Sequence, residues 1–340
     1  MTAKDISFII PVYNRPEETD ELLQSFVSLE GNNDFEIVIV EDGSSIKSDE
    51  VVKSYSDKLN IIYFFKPNSG PGDSRNFGMR RARGNYFIIL DSDCILPKEY
   101  IDEVLFSLNG EYADCFGGPD AAHKSFSNIQ KAINFAMTSF ISTGGIRGKK
   151  NSVDTFQPRS FNMGISKLAF ETTNGFGNIH PGEDPDLSIR LTQLGFKTKL
   201  IEKAYVYHKR RISWTKFYKQ VNKFGLVRPI LNTWHPETKK ITYWFPSIFC
   251  LGLLTALGLC FFKLFWLVIL YAIYFSLAFI MAFIKTRNAA VSILSVFAII
   301  IQFLGYGFGF IKSTLKLVVS NKDIEERFPK LFFKLNNVNY

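Results

Sequence analysis

The sequence lacks several features that would assign it to a class at once. Its four cysteines, Cys94, Cys115, Cys250 and Cys260, have no metal-ligand spacing, which favours reduced thiols in a reducing compartment. The chain has no internal repeat, no low-complexity linker and, despite a net charge of +8, no signature of a nucleic-acid-binding module. The N-terminus, MTAKDISFIIPV, has neither a basic n-region nor a cleavage site. We therefore expect no signal peptide and a cytosolic first domain.

Charged residues are absent from three stretches near the C-terminus, 243–262, 264–284 and 289–311. Each has the length of about 20 apolar residues that crosses a hydrocarbon core, so residues 241–311 are predicted to be membrane-embedded. Basic residues before the first stretch and in the tail, 312–340, favour the cytoplasmic side and attract anionic lipid. Three crossings would place this basic tail outside. One of the three stretches is then expected to be re-entrant or interfacial instead of crossing the membrane. The glycines of FLGYGFGF favour the third stretch for this, unless they serve helix packing.

A helix is predicted to begin after Ser213, as its N-cap, and to end near Arg228, within a segment of interfacial helix and linker at 213–240. Aromatic and aliphatic residues share one face of this helix, and lysines lie elsewhere. This pattern is typical of a helix that lies in the membrane interface. A helix that packs against a protein core is the alternative.

The first two thirds of the chain have an α/β pattern. Apolar runs at 6–12, 35–42, 61–65, 86–91 and 113–118 alternate with helix-like stretches at 16–29, 47–58, 71–83 and 97–108. This alternation predicts a mainly parallel sheet covered on both faces, within a domain of residues 1–212 that divides into 1–118 and a loop-rich part, 119–212. Ligands bind such sheets beyond the carboxyl ends of the strands, where Asp42, Asp91 and Asp93 fall.

Asp91 and Asp93 follow an apolar run and point to the same side of an extended chain, so their charges repel unless a cation lies between them. Hard divalent ions prefer carboxylate oxygen and keep positions open for phosphates. We therefore expect Mg²⁺ or Mn²⁺, carrying a diphosphate, at this pair. Further along, EDPDLSIRLTQL predicts a helix over 183–194 that places Glu183 and Asp184 at its start, open to a cleft.

Six motifs stand in one order: FIIPVYNR, VEDGS, GPGDSRNFGMRRARG, ILDSD, GEDPDL and HKRR. With these motifs, residues 5 to about 225 resemble family 2 glycosyltransferases of the GT-A fold, a Rossmann-like α/β fold. The resemblance implies inverting transfer of a hexosyl or N-acetylhexosaminyl group from a nucleotide sugar, expected to be UDP-linked. It also implies a lipid-linked saccharide or envelope glycan as acceptor, and a multi-pass protein of a bacterial inner membrane with its catalytic domain in the cytosol.

The resemblance implies roles for the matching residues. The nucleotide base and ribose are held at positions that match Pro11, Tyr13 and Asp42, although Asp42 is alternatively a turn residue of EDGSS. Donor binding also involves the following arginines: Arg75, Arg210 and Arg211. The helix that begins at 71 suits anionic groups at its N-terminus.

The same resemblance assigns the metal and the base. Asp93 is expected to coordinate the metal, Asp91 to hold ribose or metal-bound water, and His208 to add a ligand. Asp184 matches the catalytic base, and Glu183 is the neighbour that positions the acceptor or the base. The two adjacent acids have exchangeable roles at this point.

Departures from the family pattern narrow the range of reactions that we expect. Processive synthases carry Q-x-x-R-W on an interfacial helix, whereas this chain has QVNKF, and three apolar stretches are too few to enclose a polysaccharide channel. Addition of a single sugar is therefore expected. Two alternatives are transfer to a polyprenyl phosphate, which needs no base, and a membrane scaffold that only binds nucleotide sugar. The intact acids argue against a scaffold, since clustered carboxylates are costly to desolvate.

Overall fold

The computed structural model describes residues 1–31, 33–121, 126–144, 156–208 and 213–333. Its strands are β1 (Ile6–Val12), β2 (Glu36–Asp42), β3 (Ile61–Lys66), β4 (Tyr86–Leu90), β5 (Cys94–Ile95), β6 (Cys115–Gly117), β7 (Asp120–Ala121), β8 (Asn162–Ser166), β9 (Thr198–Leu200) and β10 (Val206–His208). Its helices are α1 (Pro16–Val27), α2 (Asp49–Lys53), α3 (Pro71–Arg81), α4 (Tyr100–Gly110), α5 (Asn128–Thr138), α6 (Phe140–Thr143), α7 (Lys167–Thr173), α8 (Glu183–Gln193), α9 (Trp214–Trp234), α10 (Phe245–Cys260), α11 (Trp266–Thr286), α12 (Ala289–Val319) and α13 (Ile324–Arg327).

The chain divides into two compact units. The α/β unit comprises residues 1–123, 146–209 and 332–340, and the helical unit comprises residues 124–145 and 210–331. The structure differs here from the predicted domain of residues 1–212, because 124–145 belongs to the helical unit. The physical reason is that Ile133 and Phe135 of α5 are buried in one apolar cluster with Phe217 of α9 and Phe303 of α12.

The predicted mainly parallel sheet is confirmed. Seven of the described strands form one sheet in the order β3-β2-β1-β4-β8-β6-β9. The pairs β1/β2, β2/β3, β1/β4 and β6/β9 are parallel, whereas β8 runs antiparallel to both β4 and β6. The sequence placed β8 in a loop-rich region and did not predict it.

The sheet is held by apolar layers on both faces. On one face Phe8 of β1 meets Phe26 of α1 and Phe35 edge to face, with ring centroids 4.8 and 4.9 Å apart. Each fully buried ring contributes about 2 kcal/mol from area burial. On the other face α3 lies close to β1, because a Cβ on Gly78 would come within 2.7 Å of Ile9 Cγ2. This close approach fixes the N-terminus of α3 beyond the carboxyl ends of the strands.

A second, three-stranded sheet in the order β5-β10-β7 lies in the same unit. Its strands β5 and β10 are antiparallel, and this register places His208 opposite Cys94. Because Asp93 precedes Cys94 directly, the pairing brings His208 to the predicted metal ligand although 115 positions separate them in the sequence.

Among its described residues, the helical unit contains three helical segments long and apolar enough to cross a membrane: Ile241–Cys260, Trp266–Thr286 and Ala289–Val319. They correspond to the three uncharged stretches. The third is one continuous helix, α12, that runs eight residues beyond the predicted boundary at 311. Its glycines therefore do not break it into a re-entrant pair. Gly305 and Gly309 instead face α9, and Gly307 faces Pro246, which supports the helix-packing alternative.

The helix predicted after Ser213 is present, with different ends and with part of its apolar face packed inside the helical unit. The helix, α9, ends at Trp234 instead of near Arg228, and the Ser213 side chain makes no capping hydrogen bond. Phe217 is fully buried and Val221 is 2% exposed, both inside the apolar cluster of the helical unit. Part of the apolar face therefore packs within the helical unit, whereas Tyr218 on the same face is 39% exposed, so the placement of this helix in the membrane interface stays a prediction.

A glycine contact between α9 and α12 gives a stability prediction. A Cβ on Gly225 would collide with the backbone oxygen of Tyr306, whereas a Cβ on Gly258 in α10 would have nothing within 4 Å. We expect Gly225→Ala to lower the free energy of unfolding by about 2 kcal/mol because overpacking forces the helices apart. The matched control Gly258→Ala should be neutral or stabilise α10 by about 0.5 kcal/mol. Thermal melting in detergent compares them, and equal melting temperatures would contradict the close contact.

Candidate active site

The carboxyl edge of the sheet in the α/β unit gathers most of the predicted site residues. Asp91 follows β4 directly, and Asp93 lies between β4 and β5. His208 ends β10, Arg75 lies on α3, and Glu183 is the first residue of α8. Two ion-pair clusters result, one around Asp93 and one around Arg75.

The first cluster holds Asp93 between a guanidinium and an imidazole. Arg15 Nη1 lies 2.6 Å from Asp93 Oδ2, and His208 Nε2 lies 3.1 Å from Asp93 Oδ1. Burial alone would raise the pKa of Asp93, but the His208 and Arg15 contacts outweigh it and hold that pKa well below its usual range. The His208 ring is stacked on Phe161, with centroids 4.9 Å apart, so its direction is fixed by packing.

These residues fit a divalent cation. Ligand atoms of Asp93, Cys94 and His208 lie within 4.8 Å of one another, and His208 Nδ1 is buried without a hydrogen-bond partner among the described residues. Cys94 Sγ is 3.4 Å from the Phe161 carbonyl oxygen, so the thiol is already engaged. A carboxylate and an imidazole remain, and such a donor pair can hold a divalent cation.

Arg15 and a divalent cation would compete for the same carboxylate. We expect Arg15→Gln to tighten Mn²⁺ binding in the absence of donor by about tenfold, because a charge-assisted hydrogen bond to Asp93 no longer has to be displaced. Calorimetry or spin resonance of Mn²⁺ measures the change. The control Arg83→Gln, at a guanidinium 83% exposed and paired only loosely with Glu36, should leave the affinity unaltered. Weaker Mn²⁺ binding in Arg15→Gln would contradict the competition.

The second cluster is built on Arg75, whose side chain is 3% exposed. Its Nη2 donates to Asp91 Oδ1 at 2.8 Å and its Nη1 donates to Glu183 Oε1 at 3.0 Å. The guanidinium also lies over the Phe176 ring, 5.3 Å from the centroid. Arg75 therefore joins the strand-end acid to the first residue of α8. Its predicted contact with the donor stays a prediction, since in this structure both Nη atoms are used by carboxylates.

The two acids at the start of α8 have different surroundings. Glu183 is buried, and its Oε1 also lies 3.0 Å from His180 Nδ1. Burial would raise the pKa of Glu183, but the contacts with His180 and Arg75 outweigh it and lower that pKa to about 2. Asp184 is partly exposed, with its Oδ2 3.7 Å from Arg159 Nη1. The more exposed of the two acids is thus Asp184.

Asp42 already has a structural role. Its carboxylate is 4% exposed and accepts hydrogen bonds from Lys66 Nζ, from Asn68 Nδ2 and from the backbone N–H groups of Ser69 and Gly70. A carboxylate offers about four acceptor positions, so these bonds occupy them. Asp42 thus fixes the turn that leads into α3, which is a different turn from the EDGSS turn of the alternative given above, and its contact with a base stays a prediction.

The remaining predicted donor residues lie in two places. Tyr13 is 53% exposed just beyond β1, and Pro11 lies within β1. Arg210 and Arg211 lie outside the described residues. The sequence reasoning did not assign Arg15 or His180, although both stand in or beside quoted motifs. The only sequence signal for either residue was its position within or next to a motif. The acid that such a residue contacts cannot be identified until the fold is known.

Comparisons with known proteins agree with this architecture. Residues 7–170 match the family model described as Glycosyl transferase family 2. The mannosyltransferase PcManGT from Pyrobaculum calidifontis, solved with GDP-Man and Mn²⁺, superposes with a TM-score of 0.55 over 94% of this chain and 88% of that chain. At 13% identity this likeness shows the fold alone, which is GT-A-like.

Curated relatives match a shorter segment. An uncharacterized glycosyltransferase of Rickettsia felis is 39% identical over 97 residues, 28% of this chain and 16% of that protein. The poly(ribitol-phosphate) beta-N-acetylglucosaminyltransferase TarS of Staphylococcus aureus is 32% identical over 111 residues, 32% of this chain and 19% of TarS. The matches thus span less than a fifth of the length of these two relatives.

Proposed function

We propose that this chain, whose residues 7–170 belong to glycosyl transferase family 2, moves one sugar from a nucleotide sugar to a hydroxyl group of a membrane-bound glycan acceptor. The observation that carries the proposal is the pair of ion clusters at one edge of the sheet: Asp93 with His208, and Asp91 joined through Arg75 to Glu183. Such an edge is where α/β sheets bind ligands. Acidic and basic side chains from four separate sequence motifs converge there.

The chemistry assigned to each residue follows from its surroundings. Asp184 takes the proton of the acceptor hydroxyl as its oxygen attacks the anomeric carbon, since a hydroxyl is too weak an acid to attack unaided. Attack from the face opposite the departing nucleoside diphosphate inverts that carbon. Glu183 stays ionised and keeps Arg75 in place. A divalent ion held by Asp93 and His208, close to Asp91, would neutralise charge on the diphosphate.

For the donor and acceptor, we propose a UDP-sugar and an envelope glycan. The exposed ring of Tyr13 at the end of β1 suits stacking on a nucleotide base. The name of the relative TarS describes N-acetylglucosaminyl transfer to a polymer of ribitol phosphate, which supports an N-acetylhexosamine donor and a wall-polymer or lipid-linked acceptor. The apolar helices of the helical unit would keep the site at such an acceptor.

We further propose that the α/β unit and the C-terminal segment share the cytosolic side of the inner membrane. Phe332, beyond the last apolar helix, forms a β-bridge with Ile179 of the α/β unit. Both ends of 213–331 therefore lie on one side, so an even number of the three apolar helices crosses. In intact cells, an impermeant thiol reagent should label neither Asn321→Cys nor Lys98→Cys. Labelling of Asn321→Cys alone would contradict the even number.

The test of the proposed function is release of nucleoside diphosphate by the purified full chain in detergent. A panel of UDP-, GDP- and dTDP-sugars is supplied with Mn²⁺, with Mg²⁺ and with a chelator, together with a lipid extract as acceptor. We expect release from a UDP-sugar that stops when the chelator removes the metal. Donor binding by calorimetry is measured alongside. Absence of both release and binding for every donor would overturn the proposal.

A further inference from the structure

The last described residues of the chain lie against the candidate active site within the α/β unit. Phe332 pairs with Ile179 in an isolated antiparallel bridge, and the Phe333 N–H donates to the Asn178 carbonyl oxygen at 3.1 Å. The Phe333 ring centroid is 6.1 Å from that of His180. Because His180 Nδ1 contacts Glu183, the C-terminal segment meets the acid cluster through a single intermediate side chain.

The Phe333 ring also lies against the turn that precedes α3. A side chain on Gly70, the residue before α3, would collide with this ring. Gly70 has a φ of +95° and donates its N–H to Asp42, so it belongs to the turn that Asp42 fixes before α3. Phe333 thus touches both this turn and the segment 176–182 that leads into α8.

The first turns of α3 and the segment 176–182 meet at several residues. Asn76 Nδ2 donates to the Phe176 carbonyl oxygen at 2.8 Å, and Asn76 Oδ1 accepts from the Phe176 N–H at 2.9 Å. A Cβ on Gly72 would come within 2.7 Å of the Gly177 carbonyl oxygen. The segment itself has no helix and no strand beyond the single bridge at Ile179. Irregular segments open locally at lower free energy than helices and strands, so the cover that Phe332 and Phe333 supply should slow this opening.

We propose that Phe332 and Phe333 form a C-terminal clamp of positioning residues, which holds the segment 176–182 against α3 and so fixes Asp184 relative to the bound donor. Only the expected kinetic effect of the clamp rests on the proposed function. The backbone pairing supplies the attachment, and the aromatic ring supplies the cover. Loss of the clamp should loosen the acceptor side of the site while the strand-end acids stay in place.

The test uses the full chain and two matched truncations. One ends at Phe333 and keeps the clamp, and the other ends at Leu331 and removes it. Phe333→Ala and the conservative Phe333→Tyr complete the set. Amide hydrogen exchange of the segment 176–182 should become about tenfold faster in Phe333→Ala and in the shorter truncation, and stay unchanged in the longer one. Phe333→Tyr should restore most of the protection.

Kinetics provide the second readout. In the variants that lose protection, kcat for transfer should fall about tenfold while the donor Kd changes less than twofold, because misplacement of a base affects the reacting geometry more than ground-state binding. Equal exchange rates in all variants would overturn the clamp. Faster exchange with unchanged kcat would overturn its positioning role. If none of the donors reacts, the proposed function fails, and the exchange rates still test the clamp independently.

Discussion

Replacement of Asp184 by asparagine is expected to lower kcat for sugar transfer by about 10³-fold, because a positioned general base contributes about 10² to 10⁴. The donor Kd should stay within about twofold, since binding of the nucleotide does not require deprotonation of the acceptor. Asparagine keeps the size of the side chain and removes its basicity. Initial rates at saturating donor, together with calorimetry of donor binding, measure both quantities.

A neighbouring acid provides the control for this result. Asp186 is in the same first turn of α8 and pairs with Arg190, 2.9 Å from Asp186 Oδ2. Asp186→Asn removes a similar charge from the helix N-terminus, so its kcat should stay within about threefold if only the dipole is affected. Equal losses in both variants would mean that charge at the helix start matters and that Asp184 is not the base.

The same variant separates the competing functions. A polyprenyl phosphate acceptor is already an anion, so transfer to it would survive Asp184→Asn nearly unchanged. A scaffold would keep both donor binding and its biological activity. Loss of transfer with donor binding retained is expected only for a hydroxyl acceptor, because only there does a proton have to leave during attack.

Local sequence patterns predicted the first half of the fold well because each apolar run there is long and is followed by a helix signal. The strand β8, Asn162–Ser166, was missed for the opposite reason. Its sequence, NMGIS, is short and contains residues that disfavour strands. It is held by tertiary contacts: Asn162 accepts from Tyr100 Oη at 2.6 Å and donates to the Ala204 carbonyl oxygen at 2.7 Å. Such partners are distant in sequence and cannot be read from a local pattern.

The sequence predicted many of the residues that form the site, but not which acid forms an ion pair with which basic residue. The repulsion between Asp91 and Asp93 led to the prediction of positive charge, with a shared metal as its source, and that metal stays a prediction. The structure in addition pairs each acid with an arginine, Arg75 with Asp91 and Arg15 with Asp93. Which arginine meets which acid depends on the angle between α3 and the sheet and on the turn after β1, neither of which a motif specifies.

Removal of the charge at Arg75 should have the largest effect on stability. We expect Arg75→Met to lower the free energy of unfolding at pH 7 by about 3 to 5 kcal/mol, the cost of leaving a buried partner charge uncompensated. Asp91 and Glu183 would both lose their hydrogen-bond donor. The melting temperature should fall by about 10 °C. The control Arg80→Met, on the same helix with a guanidinium 37% exposed and 3.8 Å from Asp73, should change stability by less than about 1 kcal/mol.

The pH dependence of this loss tests its cause. In the native protein the pKa of Glu183 is lowered to about 2, below the value near 4.3 of an unfolded chain. Its contribution to stability is therefore complete above that unfolded value and is lost as the pH falls toward 2. In Arg75→Met, burial raises the pKa of Glu183 relative to the native protein, so protonation relieves the uncompensated charge. The stability difference between the two proteins should consequently shrink as the pH falls below about 5. A difference that is constant between pH 7 and pH 4 would mean that lost packing around the Arg75 side chain, and not charge, causes the destabilisation.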